Sequence, residues 1–220
     1  MQNSSSYRVL IIGANGGIGR QAVEIALAAG HHVTALLRQP ANLTLTHPNL
    51  EKVQGDVMHP ETFEKYVDHQ DIVISALGVK GGLMGDKPTT LYSRGNANLI
   101  QVMQQKGIER VYFISASAIE ISPVLPFYVR FAAKYILQRL LRHMYADQRE
   151  MERLVKESSL DWTIIRPPRL IDKPVTGKYR FSINNWLKNS LAISRADVAH
   201  FMINNISNKA IYKATVEIGY

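Results

Sequence analysis

The chain has 220 residues, 46% of them hydrophobic, which argues against a disordered chain and favours one globular domain. It has no cysteine, which excludes disulfides, thiolate metal sites and a cysteine nucleophile. Its 26 lysines and arginines against 18 acidic residues give a formal net charge of +8, so we expect anionic ligands. The polar N-terminus and the lack of ~18 uninterrupted apolar residues predict no signal peptide, no integral membrane segment and a cytoplasmic location.

Strand-like and helix-like patterns alternate along the whole chain. In chain order they predict a strand at 7–12, a helix at 17–30, strands at 31–38 and 50–56, a helix at 60–68, a strand at 71–78, a helix at 90–107, a strand at 109–117, a long helical region at 124–157, strands at 161–167 and, shorter, 178–183, a helix at 194–207 and a strand at 214–220. Apolar strands that alternate with helices are typical of a parallel sheet covered on both faces. We therefore predict an α/β fold, a doubly wound Rossmann-type sheet in a single domain over residues 1–220, with a small substrate-side region around 168–193.

Four glycines stand where the first strand passes into the first helix: Gly13, Gly16, Gly17 and Gly19. A pyrophosphate lies against the unpaired N–H groups of a helix N-terminus, where a side chain would hold it away. Glycine permits both the tight turn and this close approach. An ordinary glycine-rich loop is the alternative, but the first-strand position and the alternating pattern favour a dinucleotide site.

The spacing of these glycines, G-x-x-G-x-x-G, resembles that of the short-chain dehydrogenase/reductase superfamily. Within it, the chain resembles the atypical, NmrA-like group that includes flavin reductase–biliverdin reductase B-like proteins. The resemblance extends over nearly the whole chain, through GANGGIGR (13–20), GDV (55–57), SALG (75–78), RGNANLIQVMQQKGIERVYFISAS (94–117), SSLDWTIIRPPRL (158–170) and SRADVA (194–199).

This resemblance implies an NAD(P)-binding Rossmann domain with cofactor contacts in three places. In the glycine turn the contacts include Asn15 and Ile18. After the third strand, Asp56 and Val57 contact the adenine. After the fourth strand, the nicotinamide ribose is contacted by Ala76, Leu77 and Gly78.

The end of the second strand distinguishes NADP from NAD. An NAD enzyme of this fold usually places an acid there to bind the ribose hydroxyls, whereas this strand ends in Arg38 with no carboxylate nearby. A guanidinium can bind a 2′-phosphate through two hydrogen bonds, and Arg20 offers a second positive charge. The alternative is that both arginines are solvated surface residues. We predict NADP as the cofactor.

The catalytic residues are less clearly marked. Related enzymes use a serine with a Tyr-x-x-x-Lys pair, and this chain has only the degenerate copies Tyr135-x-x-x-Arg139 and Tyr145-x-x-x-Arg149. The second copy lies where the family pattern places the motif, so Tyr145 and Arg149 are candidate catalytic residues. The alternative is that they are one helical turn apart by chance. Two serines at the end of the fifth strand, Ser115 and Ser117, are candidates for the nicotinamide side, although serines also end strands for ordinary reasons.

Two functions follow from these residues. The first is an NADP(H)-dependent oxidoreductase that transfers hydride to a small-molecule substrate, a small or flat acceptor such as a flavin, a quinone or a carbonyl compound. Direct transfer to a flavin-like acceptor needs no tyrosine, because the proton can come from solvent. The second is a non-enzymatic NADP(H) sensor of NmrA type. Net charge alone does not indicate nucleic-acid binding, the seven histidines have no metal-ligand spacing, and a homo-oligomer stays possible.

The segment 124–144 is a basic amphipathic helix. We expect its apolar side to pack on the sheet, with a substrate lid, a subunit contact or a membrane-surface helix as alternatives. That side comprises Val129, Ala132, Ala133, Ile136, Leu137, Leu140 and Met144, while Arg130, Lys134, Arg139 and Arg142 lie opposite.

Three further segments complete the predictions. The glycine-rich loop 79–88 is a candidate hinged cover for the site. The SRAD sequence at 194–197 predicts a Ser-x-x-Asp capping box with a purely structural role. Arg169 and Lys173 are weaker candidates for contact with an anionic substrate.

Overall fold

The structure, a computed structural model, describes residues 6–78, 88–124 and 126–220. Its main sheet has eight strands in the order β3-β2-β1-β4-β5-β6-β10-β8, all parallel except β8, which pairs antiparallel with β10 at the edge. A small parallel pair, β7–β9, lies beside it. The strands are β1 Arg8–Ile12, β2 His32–Leu37, β3 Leu50–Gln54, β4 Ile72–Ser75, β5 Arg110–Ile114, β6 Asp161–Arg166, β7 Arg169–Ile171, β8 Arg180–Ile183, β9 Ala192–Ser194 and β10 Ala214–Gly219.

Helices cover both faces of the sheet, which confirms the predicted fold class. α1 packs against α6 on one face, and α2 packs against α5 on the other. Alternate strand residues point to opposite faces, so Val9 and Ile11 enter the core under α1 and α6, while Leu10 and Ile12 enter the core under α2 and α5. The helices are α1 Gly17–Ala28, α2 Leu91–Lys106, α3 Phe127–Ala132, α4 Gln138–Leu140, α5 Arg142–Glu157 and α6 Arg195–Asn204, with a π-helical turn Ala133–Leu137 between α3 and α4.

The helix predicted at 60–68 is wrong. The segment forms two 3-10 turns, Pro60–Thr62 and Glu64–Tyr66. Phe63 and Val67 are fully buried under α2, so the i, i+4 apolar spacing that predicted a helix is satisfied by the two turns. A helix this short has little stability of its own, and the Thr62 hydroxyl, which accepts the Asp56 N–H at 2.9 Å, holds the tighter turn.

The long helical region predicted at 124–157 is interrupted. The π-helical turn and a break at Leu141, with φ −105° and ψ 21°, divide it before α5 begins. Packing of its apolar side on the sheet, our first expectation, is also wrong. Ile136 is 64% exposed, and Leu137 and Leu140 are exposed as well, because the chain leaves the sheet after β5 and returns to α2 only with α5.

One buried carboxylate links two segments of the C-terminal third. The Ser194 hydroxyl accepts the Asp197 N–H at 2.9 Å, which confirms half of the predicted capping box. The Asp197 carboxylate does not complete the box, since it accepts hydrogen bonds from Thr176, Gly177 and the Tyr220 hydroxyl instead. This residue therefore attaches the segment between β7 and β8 to the start of α6. The expected substrate-side region, 168–193, contains β7, β8 and the first residues of β9.

Candidate cofactor and substrate site

The glycine turn, Gly13–Gly19, is shaped by backbone contacts that leave no room for side chains. Gly13 has φ +75°, and a Cβ atom there would collide with the carbonyl oxygen of Ala76 after β4. A Cβ atom on Gly19 would collide with the Gly13 carbonyl. The Gly16 N–H donates to that carbonyl at 2.8 Å, which closes the turn at the start of α1. The turn thus brings β1, α1 and β4 together at the carboxyl end of the sheet.

The N-terminus of α1 carries no acid and no side-chain cap. Its N-cap is Gly16, which has no side chain to accept the first N–H groups, and no acidic residue lies in the first turn. Asn15, next to this N-cap, is exposed, whereas the Ile18 side chain points into the core. An anion is the natural partner of such a helix end.

A cleft of about 440 Å³ opens at this helix end, between α1 and the start of α6. Its charged lining residues are three cations and one carboxylate, so the lining has a net positive charge. The Arg195 side chain lies so close to Gly17 that a Cβ atom there would overlap it, and Arg195 Nη1 donates to Asp172 Oδ1 at 2.7 Å. The lining residues are Asn15, Gly16, Gly17, Arg20, Gln21, Asp172, Lys173, Pro174, Arg195 and Ala196.

The two arginines predicted to bind a 2′-phosphate differ in their surroundings. Arg38 is exposed directly after β2, and its guanidinium has no hydrogen-bond or ion-pair partner among the described residues. Arg20 lines the cleft but is engaged by Glu24, with Nε and Oε1 3.1 Å apart. The residues described around the end of β2 include no acid between Arg38 and Leu50.

The predicted adenine contacts lie in a turn after β3. Asp56 Oδ1 accepts the Met58 N–H at 3.0 Å, so this carboxylate already stabilises the turn. The Val57 side chain is buried against Gly95 of α2, and its carbonyl accepts the Asn98 side-chain amide at 2.9 Å.

The predicted ribose contacts follow β4. The Ala76 N–H donates to Ile12 at 3.0 Å, so Ala76 lies beside the glycine turn. Leu77 is half-buried and Gly78 is exposed. Most of the loop predicted as a hinged cover, residues 79–87, lies outside the described residues.

A cluster of paired charges occupies the carboxyl ends of β5 and β6. Arg166 ends β6 and forms two hydrogen bonds with Glu152 of α5, at 2.8 and 2.5 Å, and two with Glu120, at 3.1 and 3.0 Å. Ser115 donates its hydroxyl proton to Glu152 Oε1 at 2.7 Å. Lys156 reaches the other Glu152 oxygen at 3.2 Å. We call Glu120, Glu152, Lys156 and Arg166 the charge cluster.

The protonation state of Glu152 is set by these partners. Burial acts to raise the pKa of Glu152, but the hydrogen bonds and charge of Arg166, with Ser115 and Lys156, lower it overall. Glu152 is therefore an ionised hydrogen-bond acceptor at neutral pH, and the Ser115 hydroxyl proton points to it.

The remaining catalytic candidates have surroundings of their own. Tyr145 is buried against Ile119 and Leu141, and burial raises its pKa to about 12 despite the opposing charge of Arg149. Arg149 donates two hydrogen bonds, of 3.1 and 3.0 Å, to the Ile119 carbonyl. Ser117 is half-buried and begins the 3-10 turn after β5. Both members of the degenerate motif thus stabilise the chain after β5 in this structure.

Sequence reasoning missed Glu152, Arg166 and Arg195. A signal existed for the first two, because Glu152 interrupts the buried face of α5 between Met151 and Val155, and Arg166 ends an apolar strand. Burying a charged side chain without an oppositely charged partner is costly, so a buried glutamate on α5 and a buried arginine at the end of β6 indicate an ion pair between them. Arg195 was read only as part of the capping sequence.

Comparisons with solved structures agree with this architecture. The short-chain dehydrogenase/reductase of Veillonella parvula DSM 2008, solved in complex with NADP, superposes with a TM-score of 0.79 at 19% identity, covering 98% of this chain and 95% of that one. ChuY, an anaerobillin reductase from Escherichia coli O157:H7, gives a TM-score of 0.72 at 21% identity, with 96% of both chains covered.

Sequence relatives carry differing descriptions. YhfK of Bacillus subtilis, described as an uncharacterized sugar epimerase, is 29% identical over 212 residues, covering 92% of this chain and 89% of its own length. The chain spans only 61% and 32% of the length of two further relatives, from Arabidopsis thaliana and Mycobacterium tuberculosis.

No helix within the described residues is long and apolar enough to cross a bilayer.

The family assignment rests on most of the chain. The family model for NAD(P)H-binding proteins matches residues 13–209, from the first glycine of the turn to the residues before β10. Together with the fold, this supports the resemblance seen in the sequence: the chain belongs to the NAD(P)H-binding family.

Proposed function

We propose that this protein is an NADP(H)-dependent oxidoreductase, and that the nicotinamide, when bound, supplies hydride to a small or flat acceptor such as a flavin, a quinone or a carbonyl compound. The observation that carries the proposal is the glycine turn, where backbone fills the space that side chains would need and the helix end lacks any acid. A dinucleotide pyrophosphate fits such a helix end.

The preference for NADP rests on Arg38. It stands where an NAD enzyme usually has an acid, and it is free of partners among the described residues, so a 2′-phosphate has no internal carboxylate to displace. Arg20 contributes less, because it is already paired with Glu24. A structural relative in complex with NADP supports the same choice.

We further propose that Arg195 lies beside the pyrophosphate. Its side chain passes over Gly17 at the first turn of α1, and its present partner, Asp172, is 88% exposed. An exposed ion pair is weak, so a more highly charged anion at the helix end can replace Asp172 as the partner of Arg195.

The acceptor is one that does not need a protein proton donor. The Ser115 hydroxyl donates its hydrogen bond to Glu152, and the buried Tyr145 has a pKa of about 12. Neither group is poised to protonate a substrate oxygen as it stands. Flavins and quinones accept hydride directly and take their proton from solvent, so they fit these residues better than a simple ketone.

The test is NADPH oxidation, followed by absorbance, with FMN, quinones and small carbonyl compounds as acceptors. We expect turnover with flavin or quinone, a primary kinetic isotope effect when the NADPH is deuterated at the transferred C4 position, and similar rates in the Y145F variant. Turnover of carbonyl compounds alone, lost in Y145F, would contradict the proposed acceptor class.

A second candidate function, a non-enzymatic NADP(H) sensor, is favoured by the same observation that the catalytic candidates have structural partners. Tight NADP(H) binding by calorimetry without turnover across the whole acceptor panel would select the sensor. Absence of binding to either nicotinamide cofactor by folded protein would reject both functions.

A further inference from the structure

The segment between β5 and α5 projects large apolar side chains into solvent. We call residues 127–142 the basic arm; it contains α3, the π-helical turn, α4 and the first residue of α5. Phe127 is 82% exposed and Phe131 is 62% exposed. Its remaining exposed large apolar residues are Tyr128, Tyr135, Ile136, Leu137 and Leu140. A contiguous set of this kind marks an interaction surface.

The same arm is strongly and uniformly basic. Residues 121–146 include no aspartate or glutamate, whereas the arm carries four exposed cations. These are Arg130, Lys134, Arg139 and Arg142. Within the described residues, none of the four forms an ion pair with a carboxylate. The partner of this surface must therefore combine negative charge with an apolar layer.

We infer that the basic arm docks on an anionic lipid surface, lying along the headgroups with its aromatic side chains in the acyl boundary. Helices with aromatic and aliphatic side chains beside lysines and arginines bind such surfaces by burying apolar area and by attraction to anionic lipids. The long lysine and arginine stems can lie along the apolar layer while their charges reach the phosphates. This inference does not depend on the proposed function.

A second copy of the chain fits this surface less well. A symmetric dimer places the basic arms of two copies against each other. This contact would bring up to eight arm cations together, with no acid from residues 121–146 to neutralise them. Repulsion between like charges opposes that contact, whereas the phosphates of an anionic membrane attract the arm cations.

The distribution of apolar residues also favours a fluid layer over a groove on a folded protein. Tyr128 directly follows Phe127 in α3, so these two aromatic side chains point about 100° apart, and Ile136 directly follows Tyr135 in the π-helical turn. The apolar surface is thus wider than the single stripe that a groove contacts. Lipid chains can adapt to this wide surface.

Sedimentation with vesicles tests the inference. We expect the full-length protein to bind vesicles of phosphatidylcholine with phosphatidylglycerol and to leave vesicles of phosphatidylcholine alone in solution. The R130Q/K134Q variant should bind about 30-fold more weakly, given the effect of single basic residues near a charged surface. The F131S/Y135S variant should lose about tenfold or more through its apolar contacts.

A charge-matched control is R8Q/K65Q, which removes two exposed cations at the amino ends of the strands, away from the arm. It should bind as the wild type does. Circular dichroism and thermal unfolding establish that every variant is folded. Equal binding by R8Q/K65Q and R130Q/K134Q, or no binding to anionic vesicles, would overturn the inference. A dimer by light scattering that F131S/Y135S abolishes, without vesicle binding, would assign the arm to a second copy and overturn it as well.

Discussion

The glycine turn and the charge cluster both lie at the carboxyl end of the parallel sheet, and they are built in opposite ways. In the turn, Gly13 and Gly19 approach other backbone atoms so closely that any side chain is excluded. In the cluster, Arg166 and Glu152 fill a buried space with charge and satisfy each other through hydrogen bonds. The first region stays open to an anion, while the second region has already neutralised its own charges. This contrast favours the glycine turn as the region that binds an anion and the charge cluster as the region that stabilises the fold.

The largest effect should come from breaking the charge cluster at its buried end. Glu152→Leu leaves Arg166 buried without its main partner, and we expect a loss of about 3–5 kcal/mol in the free energy of unfolding. Urea denaturation measures it. Glu120→Leu removes the partner that is 52% exposed and should cost less than about 1 kcal/mol.

The double variant E152L/R166M sharpens this comparison. It removes both buried charges together, so we expect it to be more stable than E152L alone. An E152L variant as stable as E120L would contradict the view that the cluster is held by its buried pair.

This contrast also explains what the sequence could predict. The parallel sheet covered on both faces and the glycine turn follow from local patterns: apolar runs, their alternation with helices, and glycines at one strand-to-helix junction. The charge cluster joins Glu120, Glu152 and Arg166, which come from separate parts of the chain, so no local pattern contains it. The segment 60–68 forms two 3-10 turns rather than the predicted helix. The spacing of Phe63 and Val67 is compatible with both, so the pattern does not distinguish them. The basic arm was expected to pack because amphipathic spacing does not specify which surface the apolar side meets.

The second prediction concerns the wall of the glycine-side cleft. Asp197 holds Thr176 and Gly177, which follow the cleft residues 172–174. Burial acts to raise the pKa of Asp197, but hydrogen bonds from Tyr220, Gly177 and Thr176 lower it to about 2. Since the folded pKa lies below the ordinary value of 3.8, this carboxylate stabilises the fold above that value, and the contribution is lost as the pH falls towards about 2.

Asp197→Asn should therefore lower the free energy of unfolding by about 2 kcal/mol at neutral pH. The difference from the wild type should shrink on acidification below about pH 4, which urea denaturation at several pH values can follow. Asp172→Asn, at an exposed aspartate of the same cleft, is the control and should change stability by less than about 1 kcal/mol. A pH-independent difference for D197N would contradict the assigned ionisation.

The third prediction tests whether the glycine side distinguishes cofactors. Arg38→Ala should weaken NADP binding by about 10- to 100-fold and leave NAD binding unchanged, because only the 2′-phosphate meets this guanidinium. Calorimetry with both cofactors measures the two affinities. Arg20→Ala should produce a smaller loss for NADP, since Arg20 is held by Glu24. Equal losses for NADP and NAD in R38A would remove Arg38 from the proposed site.

The smallest expected effect concerns Glu217, an acid near the charge cluster that lacks a full set of partners. Its Oε2 accepts the Leu187 N–H at 2.9 Å, while its Oε1 is buried without a hydrogen bond to any described residue. Burial raises the pKa of Glu217 above its ordinary value. The carboxyl group therefore stabilises the fold while it is protonated, and this contribution is lost as the pH rises through the folded pKa.

Glu217→Gln keeps an acceptor for the Leu187 N–H and removes the buried negative charge. We expect the variant to be more stable than the wild type by about 1 kcal/mol at about pH 8, and to match it at about pH 4, where the glutamate is largely protonated. Urea denaturation at the two pH values measures the difference. A loss of stability at both pH values would mean that Arg166 already neutralises Glu217. The charge cluster would then extend to β10 and contain three acids, Glu120, Glu152 and Glu217.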